Sequence, residues 1–221
     1  MILETLNSSS LGTDGGVAIS ISSNARGQRH VGLIHSSQNY GELKTFHLGW
    51  HLSLRNEPAR IGQFVVKTSI GIRAQVQLAA YCRLIWRMNG ERSIPYGFGS
   101  PQGVLNDAGV YIPGEEGDGL TCATFVLAVF DAKRIPLVQY LTWPSDRPDD
   151  HEWQEMIVEK LAAPSAGASA DHIEVARSGI GNIRYRPEEV AAAVTVAPPH
   201  AHFDAVRPIA EKILEELVAE S

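Results

Sequence analysis

Apolar and polar residues alternate along Val17-Ala-Ile-Ser-Ile-Ser22, and Asn24-Ala-Arg-Gly27 follows as a turn signal. A period of two puts one kind of side chain on each face, so this stretch predicts a half-buried strand. His30-Val-Gly-Leu-Ile-His-Ser36 and Leu43-Lys-Thr-Phe-His-Leu-Gly-Trp-His-Leu52 are strand-like too, around the turn Gln38-Asn-Tyr-Gly41. Together they predict a three-stranded antiparallel meander. In the third strand Phe46, Leu48 and Trp50 share one face, which leaves His47, Gly49 and His51 on the other.

The period then changes. Residues 70–89 carry Val76, Ala79, Ala80 and Ile85 at helical spacing, and Asn89-Gly90 is a stop signal. Ile94 to Gly119 is irregular, with Pro95, Pro101, Pro113 and seven glycines from Gly97 to Gly119. Loops this long inside a domain tend to be functional. The apolar run Thr121-Cys-Ala-Thr-Phe-Val-Leu-Ala-Val-Phe130 predicts a buried helix that starts at Cys122. Ile135 to Trp143 closes the core region, and His151 to Leu161 reads as a short helix. Residues 162–170 are a low-complexity, linker-like segment. Pro187 opens a helix over Arg186 to Val194, and Phe203 to Ala219 is amphipathic through Val206, Ile209, Ala210, Ile213, Leu214 and Leu217. The expected organisation is an α+β domain over 1–161, the linker-like 162–170, and a C-terminal helical extension over 171–221.

With 221 residues the chain can bury a full core, and its net charge of −6 leaves no basic footprint for nucleic acid. Two cysteines, Cys82 and Cys122, cannot build a disulfide framework, which points to a reduced, cytoplasmic setting. Met1 to Ser10 lacks the basic and apolar regions of a secretory signal, and no uncharged apolar run reaches the roughly 20 residues of a membrane span. No cofactor or metal is expected.

Chemistry concentrates at Cys122, between the loop Gly114-Glu-Glu-Gly-Asp-Gly119 and the apolar helix. A thiol in the first turn of a helix faces unpaired backbone N–H groups and the positive end of the dipole, both of which favour thiolate. His30, His35, His47 and His51 fall within 22 residues on the predicted strands, and one strand-borne imidazole facing the thiol would make a Cys/His pair. His47 and His51, on one strand face, could instead hold zinc with a third ligand, although no supporting metal motif is present. Glu115, Glu116 and Asp118 read as a solvated turn, Cys82 as a buried apolar residue, and His200 and His202 as loop residues. Tyr96 and Gly97-Phe-Gly99 either flank a substrate groove or simply pack.

His30-Val-Gly-Leu-Ile-His35, a further histidine strand and a late Thr-Cys-Ala-Thr-Phe-Val helix start resemble the papain-like superfamily of NlpC-type amidases. The closest resemblance is to its circularly permuted branch, which includes the lecithin:retinol acyltransferase-like proteins, because the histidines precede the cysteine. It spans about residues 15–145 and implies an antiparallel sheet packed on a helix that begins with the nucleophile. It also implies Cys122 as nucleophile, with two registers for the histidines. In one, His30 is the base and His47 its orienting partner. In the other, Val17 to Ile21 is the first strand and His35 the orienter; Gly16 then stands where the base should be, and the site is inactive or rescued by His47 or His51. The first keeps a complete set. The expected activity is hydrolysis of an amide, peptide or isopeptide bond through a thioester acyl-enzyme, on a peptide, protein or acyl substrate. Two alternatives use the same framework: an acyltransferase, if the acceptor is not water, and a catalytically silent binding module. The second draws on Gly16 and on Ala123-Thr124, where the acyltransferase-like relatives carry more polar residues.

Overall fold

A computed structural model of the chain describes residues 1–7, 16–24, 27–36, 42–114, 118–196 and 200–219. Among them the three expected strands are present as β2 (Val17–Ser23), β3 (Arg29–Ser36) and β4 (Leu43–Trp50). They are the centre of a six-stranded antiparallel sheet completed by β1 (Glu4–Thr5), β5 (Ser53–Pro58) and β6 (Phe64–Lys67), in the order β1-β6-β2-β3-β4-β5. The turn at Gln38 to Gly41 lies outside the described residues, as does the middle of the turn at Asn24 to Gly27.

Six α-helices make the chain α+β: α1 (Ile72–Asn89), α2 (Cys122–Ala132), α3 (Pro148–Ala162), α4 (Ala170–Ser178), α5 (Pro187–Ala193) and α6 (Phe203–Ala219). Every residue of α2 from Cys122 to Phe130 is buried, as its unbroken apolar run requires. One face of the sheet, carrying Ile19, Val31, Leu33, Phe46 and Leu48, forms a single core with α2, and Phe46 meets Phe125 edge to face at 5.2 Å. Cys82 is sealed inside α1, where burial pushes its thiol up to about 12.

Helices α4, α5 and α6 all contribute side chains to this core. All seven residues of α5 are buried, Val190 to Val194 belong to the same apolar cluster as the sheet and α2, and α6 packs on α5. The segment 162–170 contains a short 3₁₀ turn, Pro164–Ala166, and Ser169 caps α4 by accepting from the His172 N–H. No helix among the described residues is long and apolar enough to cross a membrane.

The two ends of the chain meet at Glu216, whose carboxylate accepts from the Ile2 N–H at 2.9 Å and the Leu3 N–H at 2.8 Å. Burial is the largest single influence and opposes ionisation, but these two donors together with the terminal amine and Lys212 outweigh it and hold the carboxyl below its usual 4.5. A depressed folded pKa contributes stability that is present above 4.5 and is lost as pH falls through the lower folded value. Glu216→Ala is therefore expected to cost about 1 kcal/mol at pH 7, discounted for partial exposure, with the difference from wild type vanishing in acid. Urea unfolding at both pH values measures it, and an equal loss at both would assign the effect to packing.

Candidate functional site

The α2 N-terminus is built by two threonines. Thr121 caps the helix by accepting from the Thr124 N–H at 3.1 Å, and the Thr124 hydroxyl accepts from the Thr121 N–H at 2.8 Å. This reciprocal box spends the Thr121 and Thr124 donors and leaves the N–H groups of Cys122 and Ala123 for other partners. The Ala123 backbone acts on the Cys122 thiol, and the Tyr96 phenol lies beside the Cys122 backbone.

The sulfur also receives the backbone hydrogen bond of Val31 and is hydrogen-bonded to His30. Pairing of β3 with β4 covers Leu33 to Ser36, so His30 and Val31 lie beyond it, at the end of the sheet that the thiol enters. Burial alone would raise the Cys122 pKa, but the adjacent His30 charge, the His30 hydrogen bond and the two backbone donors outweigh it, and the thiol is held below its ordinary value. His30 shows the mirror effect: burial lowers its pKa, the Cys122 charge outweighs burial, and the imidazole is raised above 6.5. Each group therefore favours the charged form of the other.

His30 Nε2 lies 2.7 Å from His47 Nδ1, which leaves His30 Nδ1 for the sulfur. The rings meet at 79° with centroids 4.7 Å apart. Gly32 makes room for this crossing, because a Cβ there would stand 2.8 Å from the His47 Cβ. Burial first, and then the neighbouring His30 charge, drive the His47 pKa down to about 4, so His47 stays neutral and accepts through Nδ1. Its Nε2 then carries the proton and points to Glu57 Oε1 at 3.6 Å. The arrangement is a chain: Cys122, His30, His47, Glu57.

The structure brings together Cys122, His30 and His47 of the residues singled out from the sequence and places His35 and His51 elsewhere. His35 is fully buried; its Nε2 meets Asn56 Oδ1 at 3.1 Å and its Nδ1 the Ser36 carbonyl at 2.9 Å. Burial lowers its pKa, as expected for a satisfied core imidazole. His51 is not on the strand. The register breaks between Leu48 and Trp50, β4 ends at Trp50, and Leu52 turns the chain at φ 50°. His51 therefore shares no strand face with His47, and its Nδ1 instead accepts from the Tyr96 N–H at 3.3 Å. Among the described residues no group of three His, Cys, Asp or Glu side chains is arranged to hold a metal ion. Glu115 and Glu116 lie outside the described residues.

Tyr96 is the residue that sequence reasoning left undecided. The glycines flanking it explain its place. Gly99 N–H donates to the Gly119 carbonyl at 2.8 Å and Leu120 N–H to the Pro95 carbonyl at 3.0 Å, so the two loop segments run side by side up to Cys122. A Cβ on Gly119 would sit 2.6 Å from the Pro95 oxygen, so only glycine permits this approach. Burial first, and then the Cys122 charge, raise the Tyr96 phenol well above its usual range, which keeps it protonated beside the Cys122 backbone. Its own O–H is thus a donor beside the thiol.

Two cavities open on the sulfur. One, of about 560 Å³, is lined by Arg29, Trp153, Met156, Arg184 and Tyr185; the other, of about 430 Å³, by Ser22, Asn24, His30 and Trp50. Both include Tyr96, Cys122, Trp153 and Lys160. In the wall of the first, the Arg184 guanidinium lies 3.9 Å over the Trp153 ring and is paired with Asp150 at 2.9 Å. No family model, curated protein or solved structure matches this chain.

Proposed function

We propose that this protein is a cysteine-dependent hydrolase that cleaves an amide, peptide or isopeptide bond through a thioester at Cys122. The observation that carries the reading is the lowered Cys122 thiol paired with a raised His30, itself hydrogen-bonded to His47 at 2.7 Å. Perturbed pKa values of opposite sense in contacting groups at the junction of two cavities are a mark of nucleophilic catalysis. The permuted papain-like order of histidines before cysteine agrees with it.

The Cys122 thiolate attacks the carbonyl carbon, and the carbonyl π electrons move to oxygen. The Tyr96 O–H stabilises that oxyanion, a contribution worth about 3 kcal/mol for one donor. As the oxyanion collapses, the C–N bond breaks and the leaving amine takes the proton held on His30 Nδ1. Neutral His30 then removes a proton from water; the hydroxide adds to the thioester, and the carboxylic acid leaves as thiolate and imidazolium re-form. His47 Nδ1 fixes the ring of His30, and Glu57 fixes the tautomer of His47. The two lobes give the acyl and leaving groups separate space.

An acyltransferase would differ only in the acceptor. A silent binding module would share the architecture without turnover. p-Nitrophenyl acetate separates these readings: a hydrolase is expected to release nitrophenol in a burst, to show one acetyl group on Cys122 by intact mass, and to lose it in water. A stable acetyl-enzyme discharged only by an added amine or alcohol identifies a transferase, and the absence of both burst and adduct identifies the binding module.

A further inference from the structure

Tyr96 sits in an extended segment whose two edges are satisfied in different ways. On one edge the neighbours pair with the loop leading to the thiol: the Pro95 carbonyl accepts from Leu120 N–H at 3.0 Å, and the Gly97 N–H donates to the Leu120 carbonyl at 3.3 Å. In an extended chain the N–H and C=O of residue 96 must then point the opposite way, where a further strand would normally pair with them. Two imidazoles stand there instead. His51 Nδ1 accepts from the Tyr96 N–H at 3.3 Å, and His172 Nε2 donates to the Tyr96 carbonyl at 2.8 Å.

Both histidines are buried, and their rings lie together with centroids 4.5 Å apart and a tilt of 41°. The hydrogen bonds fix their protons. His51 must leave Nδ1 bare to accept, and His172 must carry a proton on Nε2 to donate. His51 comes from the turn after β4 and His172 from α4, so the clamp joins the sheet to the C-terminal helices across the backbone of Tyr96.

We propose that His51 and His172 are positioning residues that hold the Tyr96 backbone, and through it the phenol, beside Cys122. The proposal rests on the hydrolase reading for its chemical consequence but not for its structural content. Among the described residues no other segment fixes both polar groups of the Tyr96 backbone, and a displaced phenol leaves the oxyanion without its donor. A misplacement of this kind is expected to cost about 10- to 100-fold in the acylation rate.

Hydrogen exchange read by mass spectrometry tests the clamp without activity. In His172→Ala and His51→Ala, peptides covering residues 94–99 are expected to lose protection while those covering 124–130 keep it; unchanged protection at 94–99, or loss throughout the chain, overturns the proposal. His172→Asn, whose side-chain amide can still donate, is expected to restore part of the protection. Acylation by p-nitrophenyl acetate then tests the consequence. His172→Ala and Tyr96→Phe are each expected to slow the burst, and the double variant to be no slower than Tyr96→Phe alone, since both act through one phenol. Additive losses would mean that His172 does not act through Tyr96. Wild type that fails to acylate rejects the hydrolase reading, while the exchange result still decides the clamp.

Discussion

Cys122→Ser is expected to reduce turnover by at least about 10⁴-fold while the cooperative thermal transition is retained. Serine keeps the size and the hydrogen-bonding groups at the start of α2, but its hydroxyl has no accessible anion at neutral pH. The Ala123 and Val31 donors and the His30 imidazolium that favour a thiolate would face a neutral hydroxyl. Single-turnover acylation measures the loss, and thermal unfolding shows that the fold has survived. Activity within tenfold of wild type would move the chemistry away from residue 122 altogether.

His30→Gln should produce the second largest change, and its sign follows from two opposed shifts. The Cys122 thiol is held below its usual value and the His30 imidazole above 6.5, so each stabilises the charged form of the other, and the proposed thiolate–imidazolium pair is most populated between the two transitions. Wild-type kcat/KM should rise with pH through the first and fall through the second. Without the imidazole only the Val31 and Ala123 backbone donors still oppose burial, so the midpoint for alkylation by iodoacetamide should move upward from its wild-type position. Each unit of displacement removes about tenfold of the thiolate at pH 7, and loss of the base adds about 10²- to 10⁴-fold in acylation. An alkylation midpoint that stays where it is in wild type would mean that His30 does not perturb Cys122, and the proposed pair would be abandoned.

Much of the frame was legible because its signals are local. The alternation of β2, β3 and β4 needs only neighbours in sequence, and so does the apolar run of α2. The outer strands gave weaker signals: β5 is Ser-Leu-Arg-Asn-Glu-Pro, polar as an edge strand must be, β6 has four residues, and β1 two. His30 and His47 entered together in one of the two registers that the resemblance left open, and the alternation of single strands could not choose between them. His51 could not be placed, since one irregularity between Leu48 and Trp50 undoes the alternation that assigned it to a face. Tyr96 and His172 were hidden for another reason. Their partners lie 45 and 76 positions away, and no periodicity reports a contact at that range.

The dispersal of the clamp along the chain bears on how the protein is made. During synthesis the thiol and both of its strand imidazoles leave the ribosome well before residue 172 and the buried helix that follows it. A nascent chain can therefore assemble much of the sheet while the phenol beside its cysteine still lacks a second anchor. In the proposed arrangement the phenol beside the cysteine therefore gains its second anchor only after residue 172 has emerged and α4 has formed.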